Sequence, residues 1–121
     1  MKRAYIACGM TGIPLHNWPH FEKWEADLTK VGWDIVSPTR IDEECGMVLV
    51  ERLLDGTVWD VRTTSTFDYE GILKLDFEAI ETCDAIILLP GWTRSSGAKR
   101  ELAHALALGL EVYTAEEALN V

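Results

Sequence analysis

The sequence predicts an α/β fold in which helices cover both faces of a parallel sheet of four to five strands. Two observations carry that expectation: short apolar runs alternate with amphipathic segments along the chain, and the connections between them are too long for hairpins. A third concerns position, since the two glycine-bearing loops, after residue 7 and after residue 89, each follow an apolar run. In a parallel sheet both loops then fall on the edge formed by the carboxyl ends of the strands, where ligands bind.

The elements follow in order. Residues 3–7 read as a buried strand that stops at the loop Cys8-Gly9-Met10-Thr11-Gly12, whose glycines let a backbone approach a ligand closely. Pro19 opens a helix with Phe21, Trp24, Leu28 and Val31 at helical spacing, and Gly32 ends it. A second strand is expected over 33–37, closed by Pro38. From 42 to 69 the periodicity fades and turn residues gather, so this stretch reads as an insertion, a candidate lid, with a short helix expected over 48–54. Helical spacing returns over 69–82 through Ile72, Leu73, Phe77 and Ile80. A strand at 84–89, a Ser-Gly loop, a helix reaching Leu108-Gly109, a strand at 111–113 and a short helix from Ala115 complete the chain. The expected architecture is a Rossmann-like (flavodoxin-like) three-layer sandwich forming a single domain over 1–121.

A length of 121 residues, 48% of them hydrophobic, suits a globular domain with a proper core. No apolar run approaches the ~18 residues of a membrane span. The three cysteines, Cys8, Cys45 and Cys83, form no CxxC, which argues against a disulfide framework or a zinc knuckle and for a cytoplasmic protein. With 20 acidic and 11 basic residues the net charge is −9, a surface that repels polynucleotides and anionic membranes. A small nucleotide needs only local N–H groups and a cation or two. Arg94, Lys99 and Arg100 supply the densest basic charge in the chain, around the Ser-Gly loop.

That loop is the most informative feature. A buried strand feeding Ser95-Ser96-Gly97 at a helix N-terminus makes an anion site, because unpaired backbone N–H groups and the helix dipole converge there. Glu101 lies about one turn inside the helix. Its neighbours at i−4, i+3 and i+4 are Gly97, His104 and Ala105, so no Lys or Arg stands at ion-pair spacing, and a catalytic carboxylate beside a phosphate pocket is the better reading. Asp76, at the middle of the preceding helix, is on residue logic alone either a solvated helix position or a functional acid. One of Ser95 and Ser96 is expected to cap the helix, a role compatible with holding phosphate. Trp92, in the same loop, could stack on a base or sugar. Asp84 reads as a turn cap and His104 as a surface residue, while His16 and His20 lack the further ligands a metal would need. The glycines near Gly9 fall short of a full GxGxxG, so a dinucleotide site has little support.

Taken together, YIACGMTG near the start, N-x-P-x-F over 17–21 and CDAIILLPGW…S-x-G-x-x-x-E resemble the nucleoside 2-deoxyribosyltransferase-like superfamily, in particular a small branch frequent in phages and bacteria. The resemblance covers nearly the whole chain outside 42–69. It implies that Glu101 is the nucleophile on the sugar anomeric carbon, that Asp76, eight residues before Asp84, handles the leaving base, and that Ser96, with Ser95 beside it, holds a 5′-phosphate. It further implies a substrate contact at Phe21, where the related 2′-deoxynucleoside 5′-monophosphate N-glycosidases carry a tyrosine. The expected activity is N-glycosidic cleavage of a (deoxy)nucleoside 5′-monophosphate, or transfer of its base, in a homo-oligomer. The alternative is a catalytically silent nucleotide-binding protein that senses or sequesters its ligand. Neither requires a metal or organic cofactor.

Overall fold

The computed structural model describes residues 2–121. Four strands, β1 (Arg3–Ala7), β2 (Asp34–Val36), β5 (Ala85–Leu88) and β6 (Glu111–Thr114), form one parallel sheet in the order β2-β1-β5-β6. β3 (Val48–Arg52) and β4 (Val58–Thr63) pair separately as an antiparallel hairpin. Five helices complete the fold: α1 (Trp18–Lys30), α2 (Pro38–Glu44), α3 (Tyr69–Ile80), α4 (Ser96–Ala107) and α5 (Ala115–Leu119). The chain adds β2 on one side of β1 and β5 on the other, which puts the topological switch point between the carboxyl ends of β1 and β5.

Strand alternation sorts the side chains into two cores. Ala4, Ile6 and Cys8 of the first strand segment join Ala85, Ile87 and Leu89 under Phe21 and Leu28 of α1 and Ala115 and Ala118 of α5. Tyr5 and Ala7 point the other way, with Ile86 and Leu88, toward Ile80 of α3 and Ala98 and Ala105 of α4. A third cluster fastens the hairpin to the body: Val48, Val58 and Val61 pack on the fully buried Trp18. The expected α/β sandwich is present, with four strands in the parallel sheet.

Two local expectations are overturned. The stretch 48–54 is not a helix, because β-branched Val48 and Val50 alternate inward, Val58 and Val61 meet the same cluster across a register shift in the ladder, and Asp55-Gly56 turns the chain between the strands. Pro38 does not merely close a strand: it is the first residue of α2, capped by the Ser37 hydroxyl, which accepts from the Thr39 N–H at 3.3 Å. The insertion therefore begins inside a helix, and Asp42 belongs to that helix.

Candidate active site

A cavity of about 210 Å³ opens at the switch point. Its floor is built from loops that the sheet forces together. Cys8, Gly9, Met10 and Thr11 enter from the end of β1; Gly91, Arg94, Ser95, Ser96 and Gly97 enter from the end of β5. The two loops touch so closely that a Cβ on Gly9 would stand 3.1 Å from the Ser95 Cβ, so only glycine fits there without displacement. Gly91 has φ +95°, the left-handed turn that sends the chain from β5 back toward α4. Across the cavity, Leu15, His16 and Asn17 run consecutively through left-handed backbone, with φ of 54°, 52° and 62°. Such a run costs about 1–2 kcal/mol per residue and is held by its contacts. It leaves His16 on the cavity wall, while the Asn17 amide donates to the Gly9 carbonyl at 2.9 Å.

Helix α4 begins at the cavity. Ser95 is its N-cap, the hydroxyl accepting from the Ala98 N–H at 3.0 Å, so the N–H groups of Ser96 and Gly97 are first-turn donors without intrahelical acceptors. Arg94 is the one Lys or Arg on the cavity wall among the described residues. Lys99 and Arg100 are exposed elsewhere on the helix, and Arg100 pairs with Glu70 at 3.2 Å. Tyr69, at the start of α3, closes this end; a Cβ on Gly97 would lie 2.9 Å from its hydroxyl.

The acidic end is deeper. The apolar stripe of α4 runs Ala98, Glu101, Ala105, and that of α3 runs Ile72, Asp76, Ile80, so helical spacing drives both carboxyls inward. Glu101 is 5% exposed and Asp76 6%. Alternation turns Tyr5 of β1 toward the same helices, and its hydroxyl donates to Glu101 Oε2 at 2.6 Å. Burial pushes Glu101 up to about 7, while the Tyr5 hydroxyl and Asp76 hold it down. Burial and the adjoining Glu101 charge push Asp76 further, to about 9. Asp42 of α2 also lines the cavity, 5% exposed, and burial followed by the Asp76 charge raises it to about 8. Of these two like groups, environment makes Glu101 the one that ionises first, while Asp76 keeps its proton at neutral pH.

Of the residues expected from sequence, the structure gathers Cys8, Gly9, Met10, Thr11, Asp76, Ser95, Ser96, Gly97 and Glu101 around one cavity. It does not bring Phe21, Trp92 or Gly12 there. Phe21 is fully buried in the core between α1 and the sheet, where a ligand cannot reach it. Trp92 packs its ring against the α3/α4 core, and Gly12 sits exposed in its turn. Asp76 is no solvated helix position but part of the buried stripe. Sequence reasoning missed Tyr5, Asp42, Trp18 and Tyr69; for Tyr5 the available signal was a hydroxyl on the α4-facing side of an otherwise apolar strand. His104 stacks on Phe77 and bonds Glu81 at 2.9 Å, away from the cavity. Among the described residues, no three His, Cys, Asp or Glu side chains are arranged to hold a metal ion.

A family profile described as Domain of unknown function (DUF4406) matches residues 2–114. The chain belongs to this DUF4406 family. No curated protein matches it in sequence. In solved structures the DUF4406 chain is similar to a 2-deoxyribosyltransferase from Bacillus psychrosaccharolyticus, with 20% identity and a TM-score of 0.61 over 93% of this chain and 70% of that one. A 2-desoxiribosyltransferase from Leishmania mexicana gives the same identity and TM-score over 94% of this chain, which spans 63% of that enzyme's length. The CMP N-glycosidase BcmB of Clostridium botulinum gives 19% identity and a TM-score of 0.53, over 93% and 67% of the two chains. The DUF4406 chain thus shares its Rossmann-like fold with these three structures. No helix in it is long and apolar enough to cross a membrane.

Proposed function

We propose that this protein is an enzyme that cleaves the N-glycosidic bond of a (deoxy)nucleoside 5′-monophosphate, or transfers its base, with Glu101 as nucleophile. The observation that carries the reading is the pairing, within one cavity, of a buried Tyr5–Glu101–Asp76 cluster with a helix N-terminus and Arg94. The two ends suit a sugar bearing a phosphate on one side and a base on the other. Fold neighbours that act as 2-deoxyribosyltransferases and as a CMP N-glycosidase support it.

In the proposed reaction the ionised Glu101 attacks C1′ as the C1′–N bond breaks through an oxocarbenium-like transition state. The electron pair leaves with the base, and protonated Asp76 supplies the proton that neutralises it. Tyr5 keeps its hydrogen on the Glu101 oxygen, fixing the carboxylate and favouring its charged form. The resulting glycosyl ester is resolved when water adds to C1′, the ester C–O bond returns its electrons to Glu101, and Asp76 takes up the proton it gave. A second base arriving in place of water gives transfer. The phosphate would lie on the Ser96 and Gly97 N–H groups, and Arg94 would offset its repulsion with Glu101.

The same proposal includes the hairpin segment as a cover, since Val48 and Phe67 of the 42–69 stretch reach the cavity wall. It also includes a cytoplasmic homo-oligomer. Liquid chromatography of bases released from nucleoside 5′-monophosphates tests the reaction, and light scattering tests the assembly.

A further inference from the structure

Three buried side-chain atoms among the described residues lack any hydrogen-bond partner: Trp18 Nε1, Asp42 Oδ1 and Asp76 Oδ1. All three belong to residues on the wall of the one cavity, and each of those side chains is more than nine-tenths buried. Native proteins rarely leave such atoms unsatisfied unless water or a ligand completes them. Three on one cavity wall mark an edge that the polar groups of a ligand can complete. Two carboxyl oxygens ask for donors, and an indole N–H asks for an acceptor.

We infer that Asp42 is a specificity-determining residue which, with Asp76, receives an exocyclic amino group of the nucleobase, so that cytosine, adenine or guanine is preferred over a base with an oxo group at that place. The inference rests on the N-glycosidic reading of the site and names its substrate class. An amino group carries two N–H donors and satisfies Asp42 and Asp76 together. It does so whether either acid is protonated or not, because a carboxyl always keeps an acceptor oxygen. An oxo group in the same place has no hydrogen to give. Asp76, whose proton is directed to Glu101, presents its unpartnered Oδ1 there as an acceptor and repels an oxo group, and Asp42 adds to that repulsion once it ionises. Burial, with the Asp76 charge acting on Asp42 and the Glu101 charge on Asp76, keeps both acids mostly neutral near pH 7, which lowers the cost of holding them in one cavity without removing their acceptors. Trp18 Nε1 then donates to a ring nitrogen or ring oxo group of the same base. Asp42 is held for this role by α2, whose N-terminus is fixed by the Ser37 cap and Pro38.

The test uses matched pairs that differ only at the amino or oxo position: CMP with UMP and AMP with IMP, in ribo and deoxy forms. Titration calorimetry on the turnover-blocked Glu101→Gln protein reads binding apart from chemistry. The expected result is an amino-bearing member bound about ten- to hundredfold tighter than its oxo partner in at least one pair. Adding Asp42→Leu should bring that ratio to within about twofold, while Asp42→Asn, which keeps a carbonyl acceptor, should retain most of it. Equal or tighter binding of the oxo members overturns the inference, and this comparison does not depend on the folding of any position-42 variant. A ratio unchanged in a folded Asp42→Leu protein also overturns it. Base release by wild type without an amino preference removes this inference and leaves the N-glycosidic reading standing. An amino preference in binding, with no release by wild type from any nucleotide, does the reverse.

Discussion

Replacing Tyr5 by phenylalanine removes one hydroxyl and little else, because the ring stays in the α4-facing core. The lost bond is a 2.6 Å contact to Glu101 Oε2, buried and charge-assisted when Glu101 is ionised. Such bonds contribute about 1.5–3 kcal/mol. Divided by about 1.4 kcal/mol per pH unit, that loss raises the Glu101 pKa by about 1–2 units. In the proposed reaction Glu101 acts ionised, so the acid limb of kcat/KM, set by a group near 7, should move up by that amount. At pH 6 the variant should be about ten- to hundredfold slower, with the gap closing as pH rises toward the limb set by Asp76 near 9. The assay is base release from the preferred nucleotide between pH 5 and pH 10 (roughly the span in which both groups titrate). A rate loss that is the same at every pH would refute the reasoning, since it would leave Tyr5 with a packing role alone.

Other consequences follow from the same geometry. Asp76→Asn should cost about 10²–10⁴-fold in kcat with a smaller change in KM, and should abolish the alkaline limb, because the amide cannot supply the proton; the pH–rate profile checks both. Arg94→Ala should raise KM for a 5′-monophosphate at least about tenfold while leaving the parent nucleoside nearly unchanged, as expected for loss of a charge-assisted contact to phosphate. Ser95→Ala should in addition lower Tm, at a cost of about 1 kcal/mol, because it removes the α4 cap, whereas Ser96→Ala should not. The three acids Asp42, Asp76 and Glu101 all titrate higher in the fold than in the unfolded chain. Their contribution to stability is fully present below about pH 4, where the unfolded carboxyls are protonated too, falls as pH rises, and is gone once pH passes the folded values of about 7 to 9. Asp42→Asn should therefore gain Tm over wild type above pH 8 and lose that advantage toward pH 5, readable by thermal melts across pH; a difference independent of pH would contradict the burial argument.

Much of this molecule was legible in its sequence. The sheet was readable because β1 and β5 are short apolar runs punctuated by Gly and Pro, and the anion-binding end because Ser95-Ser96-Gly97 opens a helix. Glu101 stood out by lacking any ion-pair neighbour on its own helix. What escaped depended on tertiary contact. Phe21 and Trp92 sit in or beside motifs, yet packing turns both rings into the cores rather than the cavity. Tyr5 looked like an ordinary strand aromatic until the alternation of β1 was set against α4. Asp42 is hidden in the sequence because Ser37-Pro38 suits the end of a strand and the start of a helix equally, and only the second places Asp42 on a helix. The run from Val48 to Leu54 mixes alternating valines with leucines at helical spacing, and only pairing with β4 decides between the two periods.

The central claim is that Glu101 breaks an N-glycosidic bond. Liquid chromatography of free base released from ribo- and deoxyribonucleoside 5′-monophosphates and their parent nucleosides, by wild type and by Glu101→Gln, tests it most directly. The account predicts release of base from a monophosphate by wild type and none above background by the variant, with exchange of bases if a second base is required. Silence of the folded wild type across the panel, with nucleotides still bound, would contradict it and make the protein a nucleotide binder.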